Sequence, residues 1–120
     1  MANMKQKQKV IILIFLFFLL CNLSYSQRNR GIDFVNDMKE YEKSERGEEC
    51  SRLFLGGYYG YVIGIADAYE GVFFSTPFNS TNKQLFAVVA KYLNENPEKW
   101  NEPARDLVIN ALQKAFPLRK

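Results

Sequence analysis

Apolar positions along this chain fall into five blocks, and all but the first recur at helical rather than strand spacing. The first is unbroken, running from Val10 to Leu20 behind Lys5, Lys7 and Lys9. From Ile32 to about Ser44, Val35, Met38 and Tyr41 or Glu42 mark a short helix, only half apolar, that Gly47 ends. A long second helix is predicted from about Glu48 to Phe73. On it Arg52, Tyr59, Ile63, Asp67 and Glu70 fall within a sector of about 80° at 100° per residue, which predicts one wet face on a mostly buried helix. Gly71 and the stretch Ser75-Thr76-Pro77-Phe78-Asn79-Ser80 form a loop. Thr81 followed by Gln84 is a capping box, in which each side chain satisfies the other's free backbone donor, so a third helix starts there. Its apolar stripe is Leu85, Val88, Val89, Tyr92 and Leu93, with Lys83, Gln84, Lys91 and Asn94 pointing away. Pro97 stops it, and Pro103 suits the first turn of a fourth helix carrying Ala104, Leu107, Val108, Ala111, Leu112 and Ala115. Phe116-Pro117 closes that helix. The run from Tyr58 to Tyr61 is the one strand rival, and its glycines argue against it. The expected fold is all-α: a small compact bundle of four main helices around a long central Gly-rich helix.

That central helix carries Gly56, Gly60, Gly64 and Ala68 at four-residue spacing, which puts them on one face. Each interior Gly costs a helix roughly 0.5–1 kcal/mol relative to Ala, so such a ridge predicts close approach of another backbone. Packing against the third and fourth helices is one form of that prediction, because a small domain must first cover its own apolar stripes; a homodimer seam is the other. A membrane-spanning reading fails on length, since the uncharged run lies between Arg52 and Asp67 and a span needs roughly 20 residues.

The N-terminal block reads differently. A basic start, a short apolar run and small residues at Ser24-Tyr25-Ser26 make a secretory signal peptide of residues 1–26, leaving residues 27–120 as a single helical domain that begins at Gln27. A lipoprotein acylated at Cys21 is the alternative, although Leu20 is bulky where small residues precede such cysteines. Cleavage also removes the apparent basicity. Thirteen of the sixteen basic residues and all thirteen acidic ones follow Ser26, so the exported chain is neutral and nothing argues for a nucleic-acid partner.

The chemistry available is sparse. There is no histidine, which removes the usual serine and cysteine nucleophile pairs and most zinc or copper sites. Cys50 would be the one cysteine left after cleavage, so no internal disulfide forms. Its neighbours Glu48, Glu49 and Ser51 disfavour a thiolate, which makes it a buried or idle thiol rather than a nucleophile, with an intersubunit bridge as the other option. Carboxylates at Glu40, Glu42, Glu45, Glu48 and Glu49 are interleaved with Lys39, Lys43 and Arg46, the pattern of a solvated helix face. The inventory predicts no catalytic residues, no metal site and no cofactor.

Taken in order and spacing, several segments carry a resemblance. Gly60-Tyr61-Val62-Ile63-Gly64-Ile65-Ala66-Asp67-Ala68, then Pro77, Thr81 and Gln84, then Val88-Val89-Ala90-Lys91-Tyr92-Leu93 with Asn96-Pro97-Glu98, and finally Ala104, Leu107-Val108, Ala111-Leu112 and Ala115-Phe116-Pro117 are similar to the Rap/Tai family of type VI secretion immunity proteins. The match runs from about Gly56 to Pro117. It implies a small helical periplasmic protein, often dimeric, that binds and inhibits a cell-wall-degrading peptidoglycan amidase delivered by other bacteria. The family pattern commonly carries cysteines where this chain has Tyr58, Phe74 or Ser75, and Leu118, so this chain relies more on its apolar core. A periplasmic helical chaperone or stress-response protein is the second function class, and a carboxylate-based enzyme trails both.

The partner-binding surface is expected on the loop from Asn94 to Pro103. It holds the chain's single tryptophan, Trp100, between two prolines that restrict the backbone, with Glu98, Lys99, Asn101 and Glu102 as a polar rim. The resemblance implies that this loop enters the toxin's cleft. The competing reading is that Trp100 folds back as a lid over the helix ends, because tryptophan is usually largely buried. Tyr59 and Asp67, on the predicted wet face of the second helix, are the second candidate surface.

Overall fold

The structure, a computed structural model, describes residues 3–26 and 30–119; the expected new N-terminus, Gln27, lies outside them. Five α-helices follow in order: α1 (Met4–Ser26), α2 (Gly31–Glu45), α3 (Arg52–Tyr69), α4 (Asn82–Glu95) and α5 (Ala104–Ala115), with a 3-10 turn at Pro97–Lys99. No strand forms among the described residues, where only isolated bridges occur. The all-α prediction therefore holds, with α2 to α5 as the four main helices.

In α1 every side chain from Val10 to Leu20 is exposed, and none of them joins the buried core. Among the described residues no helix is long and apolar enough to cross a membrane. The core is built by one stripe from each of the other helices. It takes Phe34, Val35, Met38 and Tyr41 from α2, Tyr58, Val62 and Ala66 from α3, Leu85, Val89, Ala90, Tyr92 and Leu93 from α4, and Ala104, Leu107, Val108, Ala111 and Leu112 from α5. These are i, i+3, i+4 patterns, and each large side chain so covered contributes about 1.5–3 kcal/mol of transfer free energy.

Two helix starts follow their local sequence. Thr81 Oγ1 accepts from Gln84 N–H at 3.2 Å and Gln84 Oε1 accepts from Thr81 N–H at 2.9 Å, so the predicted capping box is complete. At α3 the Ser51 hydroxyl accepts from Phe54 N–H, and helix α3 begins at Arg52 rather than near Glu48. It also ends early, at Tyr69, because Glu70 turns to extended ψ and Gly71 takes a φ of +79°. That positive φ is readily available only to glycine. The predicted long helix was thus four residues too long at each end.

The glycine ridge is a second correction. A Cβ added at Gly56, Gly60 or Gly64 would meet nothing within 4 Å, so among the described residues no element approaches that face. The packed face of α3 lies one register over, at Tyr58, Val62 and Ala66, where larger side chains fill the space toward α2 and α4. The ridge is instead an open strip, edged by Leu53 at 79% exposure and Phe54 at 52%.

Tyrosines account for how α2, α3 and α4 join. Tyr58 stacks on Tyr41 (5.0 Å between centroids) and on Phe34 (5.3 Å), while its hydroxyl donates to Phe86 O at 2.6 Å. Burial pushes its phenol pKa far up, so it stays a neutral donor. At the opposite end of the bundle Phe74 is fully buried, Ser75 N–H donates to Phe116 O at 2.9 Å, and the Glu70 carboxylate accepts from both Thr76 N–H and Thr76 Oγ1–H at 2.9 Å.

Candidate functional site

The loop after α4 is stapled from every side. Lys99 N–H donates to Asn96 O (3.0 Å), Trp100 N–H to Pro97 O (3.3 Å) and Glu102 N–H to Lys99 O (2.9 Å), so the backbone from Asn96 to Glu102 is a run of turns. Pro97 fits the first position of the 3-10 turn, where its missing N–H costs nothing. Asn96 Nδ2–H donates to Tyr92 O at 2.8 Å, and the indole Nε1–H of Trp100 donates to Leu93 O at 2.8 Å. The first bond satisfies a carbonyl that the end of α4 leaves without a helical partner, and the second adds to the Asn96 N–H bond that Leu93 O already accepts at the helix cap. The N-terminus of α2 closes the loop from below: Gly31 N–H donates to Glu102 O at 2.9 Å, and Arg30 bridges Pro103.

Trp100 therefore packs back onto α4, half-buried, with Lys39 Nζ 5.5 Å from its ring centroid. This is the lid arrangement, and it fixes the loop that Trp100 belongs to. Glu98 and Asn101 are exposed; Lys99 and Glu102 are half-buried. Lys99 Nζ reaches the Tyr92 hydroxyl at 3.4 Å, which holds its pKa above the ordinary lysine value.

The second candidate pair separates. Asp67 is exposed as the helical wheel predicts, but Tyr59 is half-buried, its ring 4.4 Å from that of Phe86 and edge-on to Tyr41. Tyr59 belongs to the α2/α3/α4 aromatic cluster rather than to a wet face, because α3 is covered on more sides than a single polar sector allows. Among the described residues none of its ring contacts is shared with Trp100.

Two surface features extend beyond the expected site, the second touching it only at Glu102. Phe78, at the tip of the loop between α3 and α4, is fully exposed; the Pro77-Phe78-Asn79 turn was its only sequence signal. A cleft of about 720 Å³ opens between the end of α3 and α5, walled by Tyr69 and Phe73 on one side and by Glu102, Arg105, Asp106 and Asn110 on the other. Among the described residues no group of three His, Cys, Asp or Glu side chains could hold a metal ion.

No curated protein and no solved structure matches the chain. A family model does: the one described as Rap1a immunity proteins matches residues 30–118, all of α2 to α5 and the loops between them. The helical chain built around that stapled loop belongs to the Rap1a immunity protein family.

Proposed function

We propose that this protein is exported by its N-terminal segment, loses residues 1–26, and in the periplasm binds and inhibits a peptidoglycan amidase effector of type VI secretion. The family match over residues 30–118 carries the reading, because an immunity protein works against a cognate secreted effector. It acts by binding, with no chemistry of its own. The stapled loop from Asn96 to Pro103 supplies the contact surface: its backbone is ordered before any partner arrives, so little entropy is lost on docking. Glu98, Lys99, Asn101 and Glu102 give the polar rim around the half-buried Trp100 edge, and exposed Asp67 is a secondary contact.

The open Gly56/Gly60/Gly64 strip, edged by exposed Leu53, is the seam of a homodimer in this reading, since bare backbone there lets a second helix approach closely. Protein recovered from the envelope after export should capture a hydrolase from secreted and periplasmic fractions, and equimolar addition should abolish peptide release from peptidoglycan by that enzyme. An amidase from the neighbouring gene that keeps its full rate in excess protein would refute the inhibitory role.

A further inference from the structure

We infer that the cleft between the end of α3 and α5 is an arginine-binding pocket that receives a guanidinium side chain of the protein partner; the inference rests on the partner reading above. The observation that carries it is the Glu102 carboxylate. Glu102 lines the cleft, and its Oε2 is out of contact with solvent and has no hydrogen-bond partner among the described residues. A carboxylate oxygen sealed from water without a donor is unfavourable, and turning the Glu102 carboxylate to meet a donor in the cleft relieves it.

The rest of the cleft selects which donor. Tyr69 and Phe73 stand with ring centroids 5.4 Å apart, an aromatic wall of the kind that stacks against a flat cation. The resident cation does not serve Glu102: the Arg105 guanidinium is engaged by Asp106, Nε to Oδ1 at 3.4 Å, with both side chains about half exposed. Two carboxylates and one guanidinium give the cleft lining a formal charge of one negative, with Lys99, outside the lining, as a further cation that feels Glu102. A guanidinium fits better than an ammonium, because its planar fork can engage both oxygens of one carboxylate while its face lies on a ring. At about 720 Å³ the cleft is far larger than one side chain needs, so the flanking backbone of the partner enters too. Glu102 also belongs to the stapled loop, and its own carbonyl is held by Gly31 N–H, so the pocket and the loop form one continuous surface.

The test uses protein expressed from the full-length gene in ¹⁵N medium and titrated with Nα-acetyl-arginine methylamide, followed by amide NMR shifts. Saturable shifts are expected at Tyr69, Phe73, Asp106 and Asn110, and the uncharged citrulline analogue should produce none. Glu102→Gln should weaken the arginine probe by about tenfold or more, the scale of losing a hydrogen bond between charged partners. Phe73→Ala, at a 39% exposed side chain outside the buried core, should weaken it several-fold, and it carries the test if the Glu102 variant fails to fold. Absence of saturable shifts at the cleft, equal binding of the citrulline analogue, or unchanged affinity in both variants overturns the proposal. The effector arm separates the two ideas. An effector captured equally by wild type and Glu102→Gln sinks the arginine pocket and leaves the immunity reading standing; probe binding without any captured effector does the reverse.

Discussion

Gly31→Ala is the substitution that most directly tests whether the candidate loop is built by the packing of α2. Gly31 is buried at the first position of α2, and a Cβ there would press on Glu102 O and lie 2.6 Å from both Trp100 O and Leu107 Cδ1. The two carbonyls cannot yield cheaply. Glu102 O accepts the Gly31 N–H itself at 2.9 Å, and the Trp100 backbone is held by its own indole bond to Leu93 O. Against this, Ala gains about 0.5–1 kcal/mol of helix propensity. Overpacking a filled site costs about 1–3 kcal/mol, and stretching the Gly31–Glu102 bond costs about 1 more, so the net expectation is about 2 kcal/mol of destabilisation. For a domain of this size that is a fall in Tm of about 10 °C. Gly60→Ala is the internal control: its Cβ meets open space, so a monomer should gain up to about 1 kcal/mol. Thermal and urea unfolding at several protein concentrations, read beside the mass in solution, check both. A Gly31→Ala protein as stable as wild type would refute the reasoning, since the same propensity gain would then have met no opposing contact. Loss of a dimer in Gly60→Ala would assign the open strip to subunit contact instead.

Three further outcomes are expected. Glu40 accepts from Lys43 Nζ (2.8 Å) and from Ser51 N–H (2.7 Å), and these bonds, the lysine's first, hold its pKa below the ordinary glutamate value. A depressed folded pKa stabilises above the unfolded value, so the advantage of wild type over Glu40→Gln should be full near pH 7 and shrink as pH falls below about 4.3, read from urea midpoints; a pH-independent difference would refute it. Trp100→Phe keeps the ring but drops the bond to Leu93 O, and should cost about 0.5–1.5 kcal/mol in urea unfolding, whereas an unchanged midpoint would show that the indole N–H is satisfied by water instead. Cys50 is half-buried and free, and non-reducing electrophoresis of exported protein should show no dimer band; a band that reductant removes would reverse the idle-thiol reading.

What could be read from the chain, and what could not, divides along the range of the interactions involved. The Thr81–Gln84 capping box is complete within four residues, and the α5 stripe from Ala104 to Leu112 needs only that one face be covered, so both were legible. The glycine ridge shows the limit of the same logic. Spacing says that Gly56, Gly60 and Gly64 share a face; it does not say that the face is covered, and the neighbouring register Tyr58, Val62, Ala66 has the same spacing and is the one that packs. Tyr59 was placed with Asp67 on the wheel, yet Phe86 and Tyr41 claim its ring, two partners that lie in other helices. Trp100 between lid and anchor could not be decided locally either, because its position depends on one carbonyl of α4.

The positions where the resemblance places cysteines make the same point from the other side. Tyr58 is at the centre of the aromatic cluster with its hydroxyl tied to Phe86 O, Phe74 is fully buried and bridges Pro117, and Ser75 N–H holds Phe116 O next to Leu118. The places of Tyr58, Phe74 and Ser75 are thus already junctions between separate segments, closed here by ring packing and backbone hydrogen bonds without a covalent bond, whereas Leu118 is exposed. A covalent tie constrains the unfolded chain, whereas these contacts act only once the fold has formed. Stability in this chain accordingly rests on side chains that join helices far apart in sequence. That dependence is why Gly31, whose lack of a side chain lets α2 reach the loop at Trp100 and Glu102, matters more to the site than the more conspicuous glycines of α3.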